Sequence, residues 1–82
     1  MMGICELCGK YLPLEKHHLM NGVGMRKKAE EDGLYIWICR PDHEELHHDY
    51  QKRYEQKQKA QRIYLKNHTQ EEWMKRYHKN YL

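Results

Sequence analysis

Three cysteines, Cys5, Cys8 and Cys39, constrain what this chain can fold into more than any other feature. An odd count cannot close into a disulfide framework. Two of the three stand as Cys-x-x-Cys, a spacing that lets neighbouring thiolates share one ion. Seven histidines accompany them in only 82 residues. A chain of this length builds a marginal core and commonly needs a metal, disulfides or a partner. The apolar material is thin here, with no Phe, two Trp and a hydrophobic fraction of 39% against 33% charged. Reduced Cys beside clustered His therefore points to a metal as the staple of one domain over residues 1–82.

Other classes recede on composition. No segment is long and apolar enough to span a bilayer. The N-terminus lacks a basic-then-apolar signal region, so a cytoplasmic setting is expected. A net charge of +3 and a pI near 8.8 lean weakly toward a nucleic-acid partner.

The pattern of elements predicts an α+β fold with a helical C-terminal half. Residues 5–10 read as a tight knuckle, with Gly9 allowing a sharp turn. Residues 16–20 form a short strand that Asn21-Gly22 ends, and a charged loop containing Gly24 follows. The β-prone run Leu34-Tyr-Ile-Trp-Ile38 is a second strand between Gly33 and Pro41. A helix is expected from about 43 to 66, with Leu46, Tyr50, Tyr54, Ile63 and Tyr64 on one side and Lys57 and Gln61 interrupting the stripe. Thr69 and Glu72 form a capping box ahead of a helix over about 70–79, which packs through Trp73, Met74 and Tyr77.

Two metal constellations emerge. Cys5, Cys8 and Cys39 supply three ligands of a tetrahedral, zinc-selecting site. The fourth falls to Asp42 or His43, about three residues after Cys39, although Asp42 has an alternative use as a helix cap. Metal-free buried thiols are the competing reading. Separately, His17 and His18 are adjacent on a strand and point to opposite faces. His43 and His47 are four apart on a helix and share one face. Bringing His17 against that face would put three imidazoles on one ion and leave positions open for water and a phosphate oxygen. His48, His68 and His78 read as surface residues.

Cys5-x-x-Cys8, His17-His18-Leu19, Ile38-Cys39 and His43-x-x-x-His47 together resemble the HNH endonucleases of the ββα-metal class. The resemblance covers about residues 5–50, and the helical extension over 51–82 is similar to that of small HNH proteins of bacterial phages and prophages. It implies a treble-clef zinc knuckle joined to a ββα-metal catalytic unit. The structural zinc would sit on Cys5, Cys8, Cys39 and Asp42. His17, His43 and His47 would hold a catalytic divalent ion such as Mg²⁺, Mn²⁺, Ni²⁺ or Zn²⁺, and His18 would be the general base. Arg26 and Lys27 would neutralise a non-bridging phosphate oxygen. The family's central Asn has no counterpart near position 34, where Leu34 stands; Asn21 is the nearest amide.

The resemblance implies a metal-dependent DNA endonuclease or nickase in phage DNA processing, as monomer or homodimer. Two other readings are a zinc module that binds nucleic acid without cleaving it, and a binder of a host protein. The long helix carries Lys52, Arg53, Lys57, Lys59, Arg62 and Lys66, a stripe that can track phosphates, with Lys57 and Arg62 the chosen contacts.

Overall fold

A computed structural model describes all residues from Met1 to Leu82. The chain is α+β. Three antiparallel strands, β1 (Met2–Ile4), β2 (Tyr11–His18) and β3 (Tyr35–Cys39), lie in the order β1-β2-β3. Four helices complete it: α1 (Met25–Asp32), α2 (Arg40–His48), α3 (Tyr50–Tyr64) and α4 (Gln70–Tyr77). No helix is long and apolar enough to cross a membrane.

The middle strand starts earlier than the pattern predicts and runs through Pro13. Its two neighbours share it end to end. β1 pairs with Tyr11, Leu12 and Pro13, and β3 pairs with residues from Leu14 to His18. Pro13 thus sits where only one neighbour is present, so its missing N–H breaks no ladder. The register sets His17 opposite Ile36 and His18 opposite Tyr35, at the far end of the sheet.

Two further expectations change. The charged segment after Gly24 is a helix, α1, rather than a loop. It buries only Ala29 and half-buries Met25, too little to leave a periodic stripe. Gly33 closes it in the left-handed conformation at φ 71°, donating to the Ala29 and Glu30 carbonyls. The long helix expected over 43–66 is two helices. Asp49 adopts extended backbone between them and accepts a hydrogen bond from the Lys52 N–H, capping α3.

The core has two parts. Leu14, Leu19, Met20, Leu34, Ile36, Ile38 and Leu46 pack the sheet against the helices, with Cys5 and Cys39 at its edge. Tyr64, Trp73, Tyr77 and Tyr81 form an aromatic cluster in the helical half. Thr69 and Glu72 make both bonds of the capping box that starts α4. Met74, expected in that core, lies at the surface, because Trp73 and Tyr77 are four apart and point the inner face away from it.

Gln61, which interrupts the apolar stripe, is fully buried. Its side-chain amide donates to Gln70 Oε1 and to Asn80 Oδ1, and its side-chain carbonyl accepts from the Tyr81 N–H at 2.8 Å. Gln61 thus fastens the C-terminal tail to α3, and Gln58 adds a bond to the Tyr81 carbonyl. Gln61→Leu should leave the Tyr81 N–H without an acceptor and cost about 2 kcal/mol or more in urea unfolding. An unchanged midpoint would mean that the Gln61 bonds do not stabilise the docked tail.

Candidate metal centres

The turn at residues 5–9 brings Cys5 and Cys8 together, with Gly9 at φ 75° donating back to the Cys5 carbonyl. Cys39 closes β3 and is also the N-cap of α2, which places Asp42 in the first turn of that helix. Donor atoms of Cys5, Cys8, Cys39 and Asp42 all lie within 4.8 Å of one another, so the four could hold a metal ion. Asp42 does not cap the helix. Its carboxylate instead meets the Cys5 thiol at 3.1 Å and the Cys39 thiol at 3.2 Å. His43 turns away from this cluster toward Glu15.

One sulfur–sulfur spacing matches that of two thiolates on a common ion. Thiolates bound at about 2.3 Å stand about 3.8 Å apart across a tetrahedron. Cys8 Sγ and Cys39 Sγ are 3.8 Å apart. The backbone N–H groups of Cys8 and Cys39 point at Cys5 Sγ, at 3.5 and 3.4 Å. Burial opposes ionisation of Cys5, yet the N–H groups of Cys39, Cys8 and Leu7 bring its thiol below the ordinary value. At Cys39 the Asp42 N–H favours the thiolate, but burial and the neighbouring carboxylate and thiols outweigh it and push the thiol up to about 12. Without an ion the cluster therefore keeps protons between its sulfurs and the Asp42 carboxylate, and a cation would replace them.

The histidines gather on the other side of the β3–α2 junction. Alternation along β2 sends Glu15 and His17 toward α2, and Lys16 and His18 toward α1. The His17 and His43 rings are 5.1 Å apart and the His43 and His47 rings 5.0 Å, centroid to centroid. His17, His18, His43 and His47 line one cleft of about 290 Å³ with Lys16, Asn21, Gly22 and Arg26. Both His17 and His18 reach it because the cleft opens at the end of the strand. The imidazoles are more loosely set than the cysteine cluster, whose donors alone all fall within 4.8 Å.

Two carboxylates that the sequence reading passed over orient these rings. Glu15 Oε1 takes His43 Nδ1 at 2.9 Å, which leaves His43 Nε2 as the free donor atom, the arrangement common behind metal-binding imidazoles. Glu30, on α1, takes His18 Nε2 at 3.1 Å and the Lys16 ammonium at 2.8 Å. Lys16 and then His18 hold the Glu30 carboxyl below its usual range, so it accepts, and His18 Nε2 is the donor. The unprotonated nitrogen of His18 is then Nδ1, which faces Arg26 Nε at 3.5 Å. The alternation of Glu15, Lys16, His17 and His18 could have revealed Glu15. Glu30 needed α1 to be recognised as a helix.

Burial lowers the His17 imidazole to about 4, helped by the positive potential of His43, His47, His18 and Arg26. In protein loaded with one equivalent of zinc, an NMR titration should show one imidazole that stays neutral down to about pH 5 and is missing from His17→Phe. The unfolded chain takes up that proton near 6.5 and the folded chain only near 4. Acidification through this window therefore favours unfolding, and the contribution is fully present above 6.5. Titration of His17 near 6.5 would mean that the cleft does not shield it.

The remaining candidates scatter. Arg26 lines the histidine cleft, whereas Lys27, beside it on α1, is exposed and does not. Lys57 and Arg62 are five residues apart, about 140° around a helix. Lys57 is half-buried against the C-terminal tail and Arg62 is exposed on another face. His48 is exposed, His68 stacks on Tyr64 at 4.1 Å, and His78 ends α4 at φ 66°. The chain matches no family model, no curated protein sequence and no solved structure.

Proposed function

We propose that this chain is a metal-dependent phosphodiesterase of the HNH type that cleaves or nicks DNA, with a treble-clef zinc on Cys5, Cys8, Cys39 and Asp42. One observation carries the reading. A single cleft collects three imidazoles on the α2 side and a fourth, carboxylate-oriented imidazole on the α1 side. That arrangement supports a division between holding an ion and moving a proton.

In this reading His17, His43 and His47 hold the catalytic cation, which supplies positive charge to the transition state and the leaving oxygen. Glu15 fixes the His43 ring. His18 Nδ1 accepts the proton of the attacking water, and Glu30 steadies the imidazolium that results. Arg26 guards that nitrogen at a distance near the limit of a hydrogen bond. A phosphate in the cleft offers Arg26 a stronger acceptor and draws it off. Phage DNA processing in a host cytoplasm would suit such an enzyme.

A second reading, a nucleic-acid or host-protein binding module without turnover, is favoured by one feature. Leu34, where the family's Asn would fall, is fully buried in the core and offers the cleft nothing polar. Asn21 is the amide that lines the cleft instead. Plasmid nicking assayed with magnesium, manganese, nickel, cobalt and zinc decides between the two. Absence of cleavage with every ion would sink the nuclease reading.

A further inference from the structure

A second cleft, of about 240 Å³, lies between the first half of α3 and the C-terminal tail. Three cations, Arg53, Lys57 and Lys79, and three aromatic rings, Tyr50, Tyr54 and Tyr81, line it. None of these cations pairs with a carboxylate side chain, whereas Lys16, Arg40, Lys52, Lys75 and Arg76 all do. Arg53 Nε is buried and has no acceptor at all. Burial, then Arg53 and Lys79, depress the Lys57 ammonium. Three like charges are therefore held together with no carboxylate at ion-pair distance, which costs free energy until an anion arrives.

The rings add the second half of the chemistry. Lys57 and Lys79 sit 5.7 and 5.3 Å from the Tyr81 centroid, and Arg53 lies 5.9 Å from that of Tyr50. Tyr54 is wedged between Tyr50 and Tyr81, at 6.4 and 5.6 Å. Tyr50, at the outer lip, is 68% exposed. The wall formed by the tail is fixed in place, since Gln58 donates to the Tyr81 carbonyl and Gln61 accepts from its N–H.

We propose that this cleft binds one nucleotide of single-stranded nucleic acid, its phosphate between Arg53, Lys57 and Lys79 and its base stacked on Tyr50. An inorganic anion would use the cations and leave the rings idle. In a duplex the base faces are already stacked, so a side-chain ring reaches one only on a single strand or at an extruded position. The inference deepens the reading above and rests on its nucleic-acid partner, not on its chemistry.

The test uses the zinc-loaded full chain at low salt. Fluorescence anisotropy follows a 3′-labelled hexathymidylate and an abasic strand of the same length and charge. Tyr50→Ala should weaken hexathymidylate by about fivefold or more and leave the abasic strand unchanged. The double variant Lys57→Gln, Lys79→Gln should weaken both strands and reduce the slope of log K against log salt by about 0.7, the share of the one phosphate the cleft holds. Tyr50 and Lys79 are exposed and Lys57 is half-buried, so circular dichroism is run on each variant to check that it folds. If hexathymidylate does not bind, or if neither variant changes its affinity, the inference is overturned. Parallel plasmid nicking separates the two readings. Nicking with no effect of these variants on the oligonucleotide overturns this site alone. The expected variant effects in a protein that never nicks overturn the nuclease and support the site.

Discussion

Removing zinc from the Cys5–Cys8–Cys39–Asp42 cluster should unfold the chain, and Cys39→Ser should do the same without a chelator. The expected effect is large because an ion bound only by the folded state contributes its binding free energy to folding, on the order of 10 kcal/mol for structural zinc in small domains. That is comparable to the whole stability of an ordinary domain, about 5–15 kcal/mol. The location makes the dependence acute. Cys5 and Cys39 are both buried, and the cluster ties the N-terminal turn to the point where β3 passes into α2. Both His43 and His47 stand on α2, so losing its anchor would also disperse the histidine cleft. Asp42→Ala should be milder than Cys39→Ser, since water can complete three thiolates. Metal analysis and far-ultraviolet circular dichroism check this together. A protein that contains no zinc and keeps its helices would refute it.

Much of this arrangement is legible in the residues themselves. The Cys-x-x-Cys turn, the i,i+4 histidine pair and the Thr69 capping box are short-range patterns, and local geometry suffices to place them. The donors from Cys39 and Asp42 are only three apart, on a strand end and a first helical turn, so they too follow from local structure. What escaped depends on contacts distant in sequence. The chain around Met25–Asp32 buries one residue and looks like a charged loop, yet α1 exists because Gly24 and Gly33 bound it and tertiary bonds hold it. Lys28 donates to the Arg76 carbonyl, and Asp32 accepts from both Arg76 and Tyr77. Missing α1 meant missing Glu30.

Gln61 teaches the converse point. A polar residue in an apolar stripe reads as an interruption, and only the position of Asn80, Tyr81 and Gln70 makes it a core residue. Lys57 interrupts the same stripe and lies in the aromatic cleft. Both departures from the apolar pattern mark where the tail docks, so the breaks in periodicity carry as much positional information as the period. Polar groups are tolerated inside only when something satisfies them. Gln61 finds its partners within the chain, while Arg53 Nε finds none.

Replacing His18 by Ala should lower the rate of metal-dependent nicking by roughly 10²–10⁴, the span of general-base catalysis, and leave metal affinity nearly intact. The separation follows from the strand. His17 and Glu15 face α2 and the other two imidazoles, whereas His18 and Lys16 face α1 and Glu30. His47→Ala should then weaken metal binding and rate together, and excess metal should restore part of the rate. Excess metal should restore nothing to His18→Ala. Glu30→Gln provides a finer probe, because an amide still accepts from His18 Nε2–H but carries no charge to steady the imidazolium. Its rate should fall less than that of His18→Ala, with metal affinity unchanged. Isothermal titration of the divalent ion alongside the plasmid assay distinguishes these cases. If His18→Ala loses metal affinity as fully as His47→Ala does, His18 is a ligand and the proton must leave the attacking water by another route.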